Sequence, residues 1–292
     1  MDNKKIKIAV FGDAILDLFS YYTSPRQSPE ASVPIITKQK EDYFAGGAAL
    51  LATKLHELGI RVDFYSQIGN DSNGKILKSK VKDLNVFDYS KLKYKTTVKE
   101  RIIVDDIYYL RKDDEEFQAP FRKSIIETFK KKASSYDAVI FSDYAKGFLS
   151  KNLFSDILEV SLKKDVITFL DPNVKNKFDF KKIDYFKPNF NESVEFSKKK
   201  KIPEILRYLS KTFSTIPVIT LGEAGSVSIE NNKIIYSKKY KSKTVDTSGS
   251  GDIFFAYFVY SILNNNSLLQ SLNYSSKEAS KHVKYFGFNK KW

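Results

Sequence analysis

The stretch that most constrains this chain is Thr244-Val-Asp-Thr-Ser-Gly-Ser-Gly-Asp252, followed by the apolar block Ile253-Phe-Phe-Ala-Tyr-Phe-Val-Tyr260. Val245, Thr247 and the Gly/Ser run read as an exit from extended chain into a tight turn, and the apolar block reads as a buried helix. Gly249, Ser250 and Gly251 then sit at a helix N-terminus with their backbone N–H groups free. Such a terminus attracts anions, because several donors and the positive end of the helix dipole converge there. Small residues let an anion approach the backbone, and Gly251 is expected to need a backbone angle that valine disfavours. Asp252 lies in the first turn, placed to take a proton from a hydroxyl attacking a phosphoryl group held there. An anion hole beside a base is what phosphoryl transfer to an alcohol needs. The same spacing fits a glycine turn that merely caps a core helix, and spacing alone leaves both readings open.

Composition narrows the setting. At 292 residues and 42% apolar, the chain is long enough for one large α/β domain or two small ones, with ample core. It has no apolar run of about 18 residues, so no membrane span is expected. Met1-Asp-Asn-Lys-Lys5 leads straight into a strand-like segment, so no signal peptide is expected. There is no cysteine, which excludes disulfides, thiolate metal sites and a cysteine nucleophile, and a cytoplasmic location is expected. The two histidines, His56 and His282, fall in helical patterns, so a histidine metal site is not expected. The net charge is +14, but the lysines are widely spread. Phosphorylated substrates are a sufficient partner for part of that charge, and nucleic acid is not expected.

Taken in order, residues 5–11 read as a buried strand ending in Gly12-Asp13-Ala-Ile-Leu-Asp17. A carboxylate just past such a strand sits where α/β sheets bind ligands; Asp13 also fits a turn or cap, and Asp17 is the weaker candidate. Ser28-Pro-Glu-Ala-Ser-Val-Pro34 reads as an extended edge segment. Gly46-Gly47 opens a helix that closes at Gly59. Residues 62–68 read as the second core strand. Gly69-Asn-Asp71-Ser-Asn-Gly74-Lys75 nearly matches a P-loop, but Ile76 stands where a Ser or Thr must bind the metal, so that reading is rejected. Residues 96–104 and 107–111 read as strands joined at Asp105-Asp106. From 120 onward helices and strands alternate, the pattern of parallel α/β units, with strands at 137–141, 166–170, 184–186 and 218–221. Asn189-x-x-Glu192 fits a capping box. Residues 226–236 read as a hairpin, and residues 276–285 as a final helix ending near Gly287. No internal repeat or second domain boundary appears.

Asp246-Thr-Ser-Gly-Ser-Gly-Asp252 resembles the Asp-Thr-x-Gly-Ala-Gly-Asp signature of the ribokinase-like (PfkB) sugar kinases, with Ser250 at the usual Ala. Gly46-Gly47-Ala-Ala-Leu50 is similar to that family's first signature, with Leu50 at its Asn. Gly69-x-Asp71-x-x-Gly74, Thr97-Val-Lys-Glu-Arg101, Asn189-x-x-Glu192 and Thr220-x-Gly222-x-x-Gly225 also resemble family segments, so the likeness runs from Gly12 to about Gly287. It implies an α/β three-layer sandwich with a mostly parallel central sheet, a single domain over 1–292, and a small β-sheet lid from about 13–42 and 95–113. It implies transfer of the ATP γ-phosphoryl group to a sugar hydroxyl, with Mg²⁺ and a possible monovalent cation. Asp252 would take the proton, and Gly249, Ser250 and Gly251 would hold the transferring group. Asp13, Asp17, Gly46 and Gly47 would meet the sugar, with Leu50 beside them. Asn189 and Glu192 would order Mg²⁺ and its waters. Thr220, Gly222, Gly225 and Asp246 would serve the nucleotide; Lys187 could approach the phosphates but reads first as an exposed lysine.

Three segments narrow the likeness. Ser28-Pro-Glu-Ala-x-Val-Pro34, Gly12-Asp-x-x-Leu-Asp17 and Ser142-Asp-Tyr-x-Lys-Gly147 are similar to the heptose-7-phosphate kinase branch of the family. That resemblance implies D-glycero-β-D-manno-heptose 7-phosphate as acceptor, phosphorylated at its anomeric hydroxyl. A kinase of another sugar or an idle sugar-binding homologue are the alternatives. The chain stops at Trp292, so no nucleotidyltransferase domain is expected. An apolar lid edge carrying Ile102, Tyr108 and Tyr109 needs cover, so a homodimer through the lid is expected. Leu50 implies an altered sugar, a substitute polar contact, or a helix rotated so that Leu50 is core.

Overall fold

The computed structural model describes residues 5–91, 93–117, 119–120 and 122–285; the helix end near Gly287 lies outside them. Strand β1 (Lys7–Gly12) shows how the two cores arise. Side chains alternate across a strand, and here both sets are apolar. Ile8 and Val10 join one buried cluster, Ala9 and Phe11 the other. A strand buried on both faces is the mark of a parallel sheet covered by helices on each side.

The chain then runs through β2 (Ala14–Gln27), β3 (Pro34–Gly47), α1 (Ala48–Glu57), β4 (Arg61–Ser66), α2 (Ser72–Lys80), β5 (Asn85–Asp88), β6 (Thr97–Val104) and β7 (Ile107–Asp114). Next come α3 (Arg122–Lys132), β8 (Ala138–Ser142), α4 (Lys151–Leu162), β9 (Ile167–Asp171), β10 (Tyr185–Phe186), α5 (Phe190–Ser197) and α6 (Ile202–Phe213). The last elements are β11 (Ile216–Thr220), β12 (Ser226–Glu230), β13 (Lys233–Tyr236), α7 (Ser250–Leu263) and α8 (Leu268–His282).

Among the described residues, nine strands form the larger sheet, in the order β13-β12-β11-β10-β9-β8-β1-β4-β5. All its pairs are parallel except β11–β12 and β12–β13. Leu51 of α1, Leu77 of α2, Phe255 of α7 and Leu272 of α8 pack on one face; Phe129 of α3, Phe154 of α4 and Leu206 of α6 pack on the other. Phe11 stacks on Tyr65 at 4.4 Å and meets Phe129 edge-on at 5.2 Å. Burying each such ring is worth about 1.5–3 kcal/mol.

The smaller sheet has the order β3-β2-β6-β7, with β2–β6 parallel and the other two pairs antiparallel. Pro34, which has no N–H to donate, begins β3 on the sheet's edge. Asp105 and Asp106 have φ of 48° and 63°, the left-handed pair that a tight hairpin requires. The segment from Ala14 to Gln27 is continuous strand, and of the Ser28–Pro34 stretch expected as an extended edge segment only Pro34 is strand. Likewise Gly46 and Gly47 end β3, and Ala48 begins the helix. The final helix starts at Leu268, not at 276, behind a Ser267–Gln270 capping box.

Candidate active site

The parallel strands β1, β4, β8, β9, β10 and β11 point their C-terminal ends to one edge of the larger sheet, and registers such as Gly12↔Ser142 and Ser142↔Asp171 set those ends side by side. Asp13, Asp143, Asp171, Lys187 and Thr220 follow or close these strands. Helix α7 faces them. Its N-cap, Gly249, has φ 69°, the left-handed angle that only glycine takes without strain. Gly251 shows no positive φ, so the special backbone angle belongs to Gly249 and not, as the sequence suggested, to Gly251.

The helix N-terminus matches an anion site in part. The N–H groups of Gly249, Gly251 and Asp252 have no hydrogen bond among the described residues, whereas that of Ser250 is taken by Thr247 O at 3.1 Å. A Cβ added at Gly251 would fit without a clash, in ordinary contact with the Lys187 ammonium at 3.8 Å. Lys187 is 4% exposed, not a surface lysine. Its Nζ pairs with Asp171 Oδ2 at 2.9 Å and lies 5.5 Å from the Phe255 ring centre. Burial alone would lower its pKa, but the Asp171 carboxylate outweighs that and holds it above the ordinary value. A buried, charged ammonium therefore stands beside Gly251, one of the three residues here whose backbone N–H is unpaired among the described residues.

Asp252, third residue of α7 and 4% exposed, points into this group. Burial, opposed by the Tyr144 hydroxyl and assisted by the charge of Asp171, pushes its carboxyl up to about 7. Tyr144 Oη donates to the carboxylate, lying 2.6 Å from Oδ1 and 2.7 Å from Oδ2. A carboxylate titrating near neutrality beside an anion pocket has the makings of a general base.

The remaining carboxylates are engaged within the fold. Asp13 Oδ2 accepts from the backbone N–H groups of Tyr144 (3.0 Å) and Lys146 (3.1 Å), and Oδ1 from Phe148 (3.0 Å). Asp17 Oδ1 pairs with Arg101 Nη1 of β6 at 2.5 Å. A Cβ on Gly46 would fall 2.0 Å from Asp17 Oδ2, so glycine at 46 makes room for that carboxylate. Asp143 accepts both bonds of the Asn176 amide, at 2.9 and 2.8 Å. Leu50 is 7% exposed and packs with Ile253 and Tyr257 of α7, the core reading among the alternatives its sequence position allowed.

A second region opens beside α7, a cleft of about 610 Å³. Thr220, Gly222 and Gly225 line it with Gly251, Phe254 and Ala279. Gly222 and Gly225 have φ of 59° and 90°. Asp246 is not among its lining residues; its Oδ1 accepts from Ser248 N at 2.9 Å and shapes the approach to Gly249. Asn189 and Glu192 close a capping box on α5, Asn189 Oδ1 accepting from Glu192 N at 3.0 Å and Glu192 Oε2 from Asn189 N at 2.8 Å. Burial, with Asp171 nearby, raises the Glu192 carboxyl. The structure thus brings Asp252, Gly251 and Lys187 together, places Thr220, Gly222 and Gly225 along the cleft, and leaves Leu50 in packing. Tyr144, Asp171 and Asn176 were not singled out from the sequence. Asp171 carried the signal that marked Asp13, a carboxylate closing a buried strand; Tyr144 carried only its place in a segment of resemblance.

Among the described residues, no helix is long and apolar enough to cross a membrane. A family model described as pfkB family carbohydrate kinase matches residues 5–291. The chain is 30% identical over 286 residues to a Helicobacter acinonychis (strain Sheeba) protein named "Bifunctional protein HldE", covering 94% of this chain and 62% of that protein. For the protein of the same name from Aliarcobacter butzleri (strain RM4018), identity is 28%, covering 96% of this chain and 61% of that one. The chain therefore spans 61–62% of the length of these two relatives. Among solved structures, Arabidopsis thaliana ribokinase complexed with ribose and ATP superposes with a TM-score of 0.72 at 18% identity, over 97% of this chain and 94% of that one. Escherichia coli phosphofructokinase-2 in complex with substrates and products does so with a TM-score of 0.76 at 14% identity, over 96% and 93%. At such identities these two likenesses concern the fold.

Proposed function

The chain belongs to the pfkB family of carbohydrate kinases, and from that premise we propose that it transfers the γ-phosphoryl group of ATP to the anomeric hydroxyl of a heptose 7-phosphate. The observation that carries the chemistry is the buried Asp252 carboxylate one residue beyond Gly251, where backbone donors and the Lys187 ammonium converge. The acceptor oxygen attacks the γ-phosphorus as its proton passes to Asp252, and the bond to the ADP oxygen breaks. Charge on the transferring group is met by the α7 N-terminus and Lys187. The cleft beyond Gly251 takes the nucleotide, and the strand ends near Asp13, Asp17 and Gly46 face the sugar, with the smaller sheet as its lid.

Support for a heptose acceptor is the relatives named HldE and the three segments that resemble the heptose-7-phosphate branch. Magnesium fits the donor set: it keeps several waters and takes one or two carboxylates together with substrate phosphates. Glu192, near Asn189, supplies one such carboxylate, and its Oε1 has no hydrogen bond among the described residues. A bound magnesium would supply charge neutralisation on the phosphates. We also read the lid edge as a homodimer surface, because β7 is exposed along its whole length and Ile107 is 66% exposed.

The deciding experiment measures ADP release over a panel of sugars and sugar phosphates. Turnover highest with D-glycero-D-manno-heptose 7-phosphate is the expected result. Faster turnover with another sugar moves the acceptor within the family, and no turnover with any removes the catalytic reading. Sedimentation showing only monomer at micromolar protein would remove the dimer.

A further inference from the structure

Tyr144 is held more closely than a chance neighbour of Asp252 would be. It follows the C-terminal end of β8, and its N–H donates to Asp13, the residue that follows β1. Lys146 and Phe148 bind the same carboxylate, so three backbone bonds fix the segment that carries the ring. Ala145, between them, has φ 53°, a strained angle for a residue with a side chain. From the smaller sheet, Lys99 Nζ lies 4.9 Å from the ring centre. The hydroxyl then straddles the two oxygens of Asp252 across 108 residues of chain.

We propose that Tyr144 is a positioning residue for phosphoryl transfer: its hydroxyl clamps the Asp252 carboxylate in the orientation that faces the anion pocket and keeps it able to accept the acceptor's proton. This rests on the reading of Asp252 as the base. One O–H donates to one oxygen at a time, and each carboxylate oxygen has two lone pairs, so the clamp leaves room for the sugar hydroxyl. The phenol itself does not transfer its proton. Burial and the charges of Asp252 and Asp171 hold it well above the ordinary tyrosine value. The groups facing Asp252 are Tyr144 from the β8 segment, Asp171 from β9, Lys187 beyond β10 and Asp17 from β2. Of these, the Tyr144 bond favours the charged carboxylate, as does Lys187, while Asp171, Asp17 and burial oppose it.

A hydrogen bond to the charged form lowers a carboxyl pKa, so its removal raises it. Tyr144→Phe should therefore move the acid limb of kcat upward by about one pH unit, with roughly fivefold loss at neutral pH that is largely recovered two units higher. KM for ATP should stay constant. Replacing Tyr144 alone with 3-fluorotyrosine, a stronger donor of the same shape, should move the limb the opposite way. An unshifted limb in both variants, or an equal loss at every pH with a lowered Tm, overturns the proposal. If Tyr144→Phe fails to fold, the fluorinated protein carries the test alone. Asp252→Asn separates the two readings: if it is inactive while both limbs stay put, Asp252 remains the base and the clamp is wrong; if it is active, the base assignment itself fails.

Discussion

The two sides of α7 use different materials. On one, Asp13, Asp17, Asp143, Asp171 and Asp252 are buried or nearly so, and each is held by a donor from elsewhere in the fold: backbone N–H groups, Arg101, Asn176, Lys187 and Tyr144. On the other, the cleft is lined by Gly222 and Gly225 at positive φ together with larger side chains, among them Glu223, Lys239, Tyr240, Lys241 and Phe254. One side is an interlocked set of buried charges; the other is a cleft shaped in part by glycine backbone. Damage on the first side should appear in kcat, pH dependence and stability. Damage on the second should appear as lost room for the nucleotide.

Asp252→Asn keeps the shape of the site and removes its base, so kcat should fall by ~10²–10⁴-fold. ATP affinity, measured by calorimetry, should barely change; a wild-type rate would remove the base from the interlocked side. Arg101→Met strands the buried Asp17 carboxylate, and removing one partner of a buried pair costs about 3–5 kcal/mol. Thermal unfolding should report that loss, and an unchanged Tm would mean the pair holds nothing together. Gly251→Val fills the space beside Lys187 and should lower kcat on the order of 10²-fold, the size of losing an oxyanion donor. Ser250→Ala, which places no bulk there, should stay near wild type; equal losses in both would erase the distinction between backbone and side chain at this turn.

The smallest effect is the pH profile. Asp252 sits at about 7 in the folded protein, above the ordinary carboxyl value because of burial. The base works deprotonated, so kcat should rise with pH through that region, by roughly tenfold between one unit below and one unit above it. KM for ATP, governed by the other side, should stay flat over the same range. A flat kcat would show that the carboxylate is fully ionised well below neutrality.

What the sequence disclosed follows this same division. The turn at Gly249–Asp252, the hairpin at Asp105-Asp106, the hairpin over 226–236 and the Asn189–Glu192 box are local, written in neighbouring residues, and all four are present. The interlocked side is non-local. Nothing near Lys187 says that Asp171 will bury it, and nothing near Asp252 names Tyr144. The length of β2 was hidden for the same reason, since beyond Tyr22 it is strand only because β3 pairs with it. Gly251 misled because two glycines flank Ser250 and only the structure shows which takes the left-handed angle.

The roots of β2 and β3 are joined at the site, where Ala14 pairs with Gly47 and Ala48 N donates to Asp13 O. Each strand is 14 residues long, so the pair is a lever of ~46 Å at ~3.3 Å per residue. A tilt of ~10° about the root would sweep the tip through ~8 Å yet carry Asp17, four residues out, only ~2 Å on the same rise per residue. Register breaks at Tyr21/Tyr22 and Thr23/Arg26 lie between the two, joints that let the outer arm bend on its own. The tip can therefore be lengthened or rebuilt for a different neighbour while the charges at its base hold their places.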